Sequence, residues 1–96
     1  MLTGKEKRYL RSLGSNLDPI VFVGKAGLTD ALKISALAAI VVHELVKIRV
    51  LQNCPETVSA VVAQLAEETG ATLVQTIGRN GLIYRRNEEK PLIELP

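Results

Sequence analysis

A chain of 96 residues, 47% hydrophobic and carrying a net charge of +2, has room for one globular domain with a small aliphatic core and none for a second. Its only aromatics are Tyr9, Phe22 and Tyr84, which excludes a sheet reader that stacks several bases on a platform of rings. A single cysteine, Cys54, and a single histidine, His43, exclude an internal disulfide and a zinc site, so a cofactor-free protein is expected.

Thr3-Gly4-Lys5-Glu6 reads as a capping box and predicts a first helix from Gly4 to about Leu13. Tyr9, Leu10 and Leu13 form its narrow apolar stripe, while Lys7, Arg8 and Arg11 point largely to another side and make a basic face. Gly14 to Pro19 is a loop by composition. Pro19 pushes Asp18 out of the helical region, so Ile20 to Val23 should be a strand, and its wholly apolar content predicts cover on both faces.

The next four residues are Gly24-Lys25-Ala26-Gly27. Two glycines around a lysine let backbone N–H groups and one cation approach a phosphate closely, because no Cβ stands in the way. A purely structural turn between strand and helix would use the same glycines, so the loop alone does not separate the two readings. A second helix is expected from Asp30 to about His43, capped by Thr29. It is apolar nearly all round, with Leu32, Ile34, Leu37, Ile40 and Val41 among alanines.

Leu45 to Val50 alternates cleanly, with Val46, Ile48 and Val50 on one face and Lys47 and Arg49 on the other. Pro55 and Glu56 open a third helix to about Glu68, with Val58, Val61, Val62 and Leu65 inward and Gly70 as its stop. Thr72 to Ile77 and Leu82 to Arg85 are two strands around Gly78-Arg79-Asn80-Gly81. The Asn80-Gly81 pair predicts a tight hairpin with Arg79 at its tip. Pro91 to Pro96 reads as an extended tail and a candidate edge strand.

Charge is segregated along the chain: residues 1–27 sum to +3, residues 45–55 and 79–90 to +2 each, and residues 56–78 to −3. Such basic segments either solvate separate faces or, if the fold gathers them, meet a polyanion. His43-Glu44 invites a general-base reading, yet no motif sets a nucleophile beside it and Cys54 reads as a loop thiol, so no enzyme is expected. Tyr84, beside Arg85 and Arg86, could stack on a base, but it shares a strand face with Leu82 and is expected in the core. The longest apolar run, Leu37 to Val42, is too short to span a bilayer and Met1 leads directly into charge, so a cytoplasmic protein without membrane contact is expected.

The order helix, strand, GxxG, helix, strand, helix, strand, strand, together with His43-Glu44-Leu45-Val46-Lys47-Ile48-Arg49-Val50 and Val74-Gln75-Thr76-Ile77-Gly78 followed by Leu82-Ile83-Tyr84-Arg85, resembles the CRS1-YhbY (CRM) RNA-binding domain family. Leu2-Thr3-Gly4-Lys5-Glu6-Lys7-Arg8-Tyr9-Leu10 and Ile93-Glu94-Leu95-Pro96 are similar to its free-standing bacterial branch. The resemblance implies a compact α/β domain with a mixed four-stranded sheet packed by helices, related to the C-terminal domain of translation initiation factor three. It implies RNA as partner, ribosomal RNA and precursors of the large subunit in particular, and no small-molecule substrate. The implied contact is Gly24, Lys25, Ala26 and Gly27, with Lys5, Lys7, Arg8, Arg11, Lys47, Arg49 and Arg79 as flanking basic surface. One region departs from the family pattern: Ser35 to Val42 leaves too few polar positions for a solvated helix face. Either helix two is more enclosed than usual, or it offers an apolar patch to another chain, so a monomer or weak dimer and a protein-interaction role stand as the alternative.

Overall fold

The computed structural model describes residues 2–96. Its first helix, α1 (Gly4–Gly14), starts on the expected capping box: the Glu6 N–H donates to Thr3 Oγ1 at 3.1 Å and the Thr3 N–H to Glu6 Oε1 at 2.8 Å. β1 (Val21–Val23) follows, then α2 (Asp30–His43), capped by the Thr29 hydroxyl on the Leu32 N–H at 3.1 Å, then β2 (Leu45–Val50). α3 (Val58–Thr69) begins later than Pro55 and Glu56 predict, because Thr57 accepts the Ala60 N–H and takes the cap itself. It stops where Gly70 turns left-handed at φ +69°. β3 (Thr72–Ile77) and β4 (Asn80–Tyr84) complete the sheet.

The strands lie in the order β1-β2-β4-β3, with β1 parallel to β2 and the other pairs antiparallel. This is the mixed four-stranded α+β architecture that the family resemblance implies. The hairpin turn, however, is Gly78-Arg79 and not Asn80-Gly81: Ile77 pairs with Asn80, and of the two turn residues only Gly78 has positive φ, the pattern of a II′ turn. Gly81 is drawn into β4 because its bare backbone faces Val62 of α3, where a Cβ would clash.

Two apolar clusters sandwich the sheet. On one face Val21, Val23, Val46, Ile48, Val50 and Ile83 meet α2 and α3 through Ala36, Ile40, Val61, Val62, Leu65 and Ala66. On the other, Leu45, Val74, Leu82 and Tyr84 meet Leu10 of α1, with Leu2, Leu13, Ile93 and Leu95 packed against them. Tyr84 is therefore core, and the segment after it is no edge strand; its Ile93 and Leu95 close the second cluster instead. A bulge at Val74 lets that residue reach the second cluster although its neighbour Gln75 pairs with Leu82.

α1 ends where Gly14 lies against Leu82, so the second face is covered only in part. Phe22 of β1 is 51% exposed as a result, against the expectation of a strand covered on both sides. Its apolar run is that of an edge strand with helices on one face alone.

Candidate nucleic-acid interface

The GxxG segment turns the chain from β1 into α2. The Gly27 N–H donates to the Gly24 carbonyl at 2.9 Å, which closes the turn, and the Thr29 N–H donates to the Gly27 carbonyl at 3.2 Å. Gly27 sits at φ +67°, where an L side chain is strained, and a Cβ there would meet nothing within 4 Å. Gly24 is set closer, its Cβ position 3.4 Å from Leu51. Lys25 and Ala26 are exposed between them. The loop thus presents open backbone and one lysine ahead of the positive end of a 14-residue helix, whose first turn also carries the exposed Asp30.

Strand register decides which basic residues lie near this loop. β1 and β2 run parallel, so the loop leaves the sheet beside Val50 and Leu51, with Arg49 level with Phe22. Lys47 and Arg49 share the face opposite α2 and α3; Arg49 is exposed and Lys47 half-buried. Arg79 also reaches this end, at the hairpin tip as expected, but its guanidinium donates to the Val50 carbonyl (Nε, 2.9 Å) and to the Leu51 carbonyl. It ties the hairpin to the end of β2. On α1, Arg8 is exposed while Lys7 and Arg11 are half-buried, on the same side of the sheet as Lys47 and Arg49. Lys5 is exposed in the first turn, at the Tyr84 end of the sheet and away from the loop. The exposed acids Glu67 and Glu68 lie on α3 across the sheet, where Glu68 pairs with Lys33 at 3.4 Å. The acids of α3 and the cations of α1 and β2 therefore lie on opposite sides of the sheet.

His43 and Glu44 separate: His43 is exposed and Glu44 is fully buried. Glu44 takes φ +63° and ψ −46° between α2 and β2, and its carboxylate accepts backbone N–H bonds from Asn87 (2.7 Å), Leu92 (2.8 Å) and Ile93 (2.7 Å). Burial pushes this carboxyl up, but the three N–H donors and nearby Arg86 outweigh it and hold the group below its ordinary value. These three bonds commit the carboxylate to holding the segment after Tyr84. Composition and periodicity gave no signal for this role; the donors are more than forty positions along the chain. Cys54 packs half-buried against the first core, its N–H bonded to Leu51 at 3.0 Å.

α2 settles the choice left open by its composition. Only Ala36 and Ile40 are buried, while Ile34 is 69% and Val42 61% exposed, with Leu37 and Val41 between them. The helix is not enclosed, and it carries an exposed apolar stripe. No helix among the described residues is long and apolar enough to cross a membrane.

Comparison with known proteins converges on one family. The CRS1 / YhbY (CRM) domain matches residues 2–85. The chain is 44% identical over 96 residues to the Bacillus subtilis protein named probable RNA-binding protein YqeI, with both chains fully covered. It is 37% identical over 95 residues to a protein of Haemophilus influenzae named RNA-binding protein, covering 99% of this chain and 95% of that one. The solution structure of the hypothetical protein SAV1595 from Staphylococcus aureus superposes with a TM-score of 0.83 at 44% identity, again over the whole of both chains.

Proposed function

This chain belongs to the CRS1 / YhbY (CRM) domain family, and we propose that it is a non-catalytic RNA-binding domain that grips structured ribosomal RNA by its phosphates. The observation that carries the reading is the loop itself: Gly24 to Gly27 offers open backbone and the exposed Lys25 at a helix start, in a chain whose relatives are named RNA-binding proteins. Lys47, Arg49, Arg8, Arg11 and Lys7 extend the basic surface, Lys5 stands apart from it at the other end of the sheet, and Arg79 braces it rather than facing the ligand. With a net charge of only +2, attraction has to come from this local gathering of cations. Work on precursors of the large ribosomal subunit, in the cytoplasm, is the setting we assign to it.

The test is a salt titration against a structured large-subunit RNA fragment, where binding through phosphates gives a steep fall in affinity as salt rises. Lys25→Ala is expected to weaken binding by about 1 kcal/mol and to lower the salt slope by about one unit. Parental affinity that stays flat with salt would remove the phosphate reading. An unchanged slope for Lys25→Ala would make Gly24 to Gly27 a structural turn only.

The exposed stripe Ile34, Leu37, Val41 and Val42 supports a second role, weak association through α2. Sedimentation is expected to show a monomer at low concentration and a dimer on concentrating, with Ile34→Lys abolishing the dimer. A single monomeric species at every concentration would exclude this role.

A further inference from the structure

The part of the sheet that α1 leaves uncovered has a definite composition. Phe22 is level with Arg49, Arg49 with Asn80, and Asn80 with Ile77, so these four residues form one row across all four strands. Their sequence neighbours Val21, Val23, Ile48, Val50 and Gly81 point to α2 and α3, which places the row on the opposite face. Phe22 is 51% and Ile77 64% exposed. Within the strands the only charged residues are Lys47 and Arg49, both cations and both on this face. A ring in the open, with a guanidinium one strand away and no carboxylate on the strands, matches a flat group attached to phosphate.

We propose that the row around Phe22 is a subsite for one unpaired nucleobase, stacked on the Phe22 ring while Arg49 and Lys47 meet its phosphates. The subsite rests on the RNA-binding reading above and deepens it: the strand holding Phe22 runs directly into Gly24, so one RNA strand passes from the ring to the phosphate loop. A single ring takes a single base, in agreement with a composition that excludes a multi-base platform. A duplex, whose bases are already stacked, gains nothing there.

The chain has no tryptophan, so Phe22→Trp installs a lone tryptophan at the subsite, whose emission is excited selectively over that of Tyr9 and Tyr84. Its emission is expected to be quenched by an oligoadenylate of about ten nucleotides and left unchanged by a blunt RNA duplex at equal phosphate concentration. Phe22→Ala is expected to lose about tenfold in affinity for the oligoadenylate, with the salt slope retained and, because Phe22 is exposed, the melting temperature near that of the parent. No quenching together with parental affinity for Phe22→Ala, while Lys25→Ala still weakens binding, would overturn the subsite and leave the RNA reading standing. If the parent bound neither the oligoadenylate nor the structured large-subunit fragment, both would fail. Self-association of the parent that Phe22→Ala abolishes, with no quenching by oligoadenylate, would reassign the face to a second copy of the chain and overturn the proposal.

Discussion

Glu44→Ala is expected to remove about 3 kcal/mol of folding stability and to release the segment after Tyr84 from the body of the protein. The carboxylate is fully buried and accepts three backbone N–H bonds at 2.7–2.8 Å, so its loss strands the Asn87, Leu92 and Ile93 amides and loosens Ile93 and Leu95 from the second core. Alanine would also keep the strained φ of +63° that glutamate now holds. Glu44→Gly relieves that strain and is expected to be about 1 kcal/mol less damaging than Glu44→Ala. In Glu44→Gln one oxygen still serves Leu92 and Ile93, but an NH2 faces the Asn87 N–H, which places this variant between parent and alanine.

The same site sets a pH dependence. The Glu44 carboxyl in the folded protein lies below its ordinary value, so the folded state favours the charged form relative to the unfolded chain. Its contribution is complete above the ordinary glutamate range and is lost as pH falls through that range toward the folded value. Thermal melts across acid pH should therefore fall more steeply for the parent than for Glu44→Gln. Amide exchange at Leu92 and Ile93 should quicken in Glu44→Ala. Parental melting and unchanged exchange in that variant would show that the tail is held by its apolar contacts alone.

Gly81→Ala is expected to destabilise by about 3 kcal/mol, because the added Cβ would stand 2.9 Å from Val62 Cβ and closer still to both of its methyl groups. Neither partner can retreat cheaply. β4 is held between β2 and β3, and Val62 is fully buried and β-branched, with little freedom at χ1. Val62→Ala alone leaves a cavity and costs about 2 kcal/mol, but in the double variant the new methyl occupies the vacated space. Chemical denaturation should show the pair less damaging than the sum of the singles by at least about 1 kcal/mol. Strict additivity would mean that the strand and α3 part freely. Gly14→Ala makes a useful contrast, since its Cβ would meet the far end of the Leu82 side chain, which can turn aside at smaller cost.

The features legible from the chain are those decided by neighbours within a turn or a strand. Thr3 and Thr29 cap helices through bonds three residues away, Gly70 ends α3 by its own backbone, and the alternation of Leu45 to Val50 sorts Lys47 and Arg49 to one face wherever the strand lies. The GxxG loop, the element order and the family motifs are legible for the same reason, being local patterns set in order along the chain. Tertiary structure alone decided the rest. Asn80-Gly81 is a strong turn signal, yet Val62 on a distant helix requires a residue without a Cβ at 81, and the turn passes to Gly78-Arg79. Arg79 is committed to carbonyls up to 29 positions away, and Glu44 to N–H groups up to 49 positions away, neither of which a local pattern encodes. Phe22 and the α2 stripe are exposed because of where α1 stops and where no further layer lies. Apolar side chains record that burial is favourable but not which face will find cover, since that depends on which elements the whole fold brings against them.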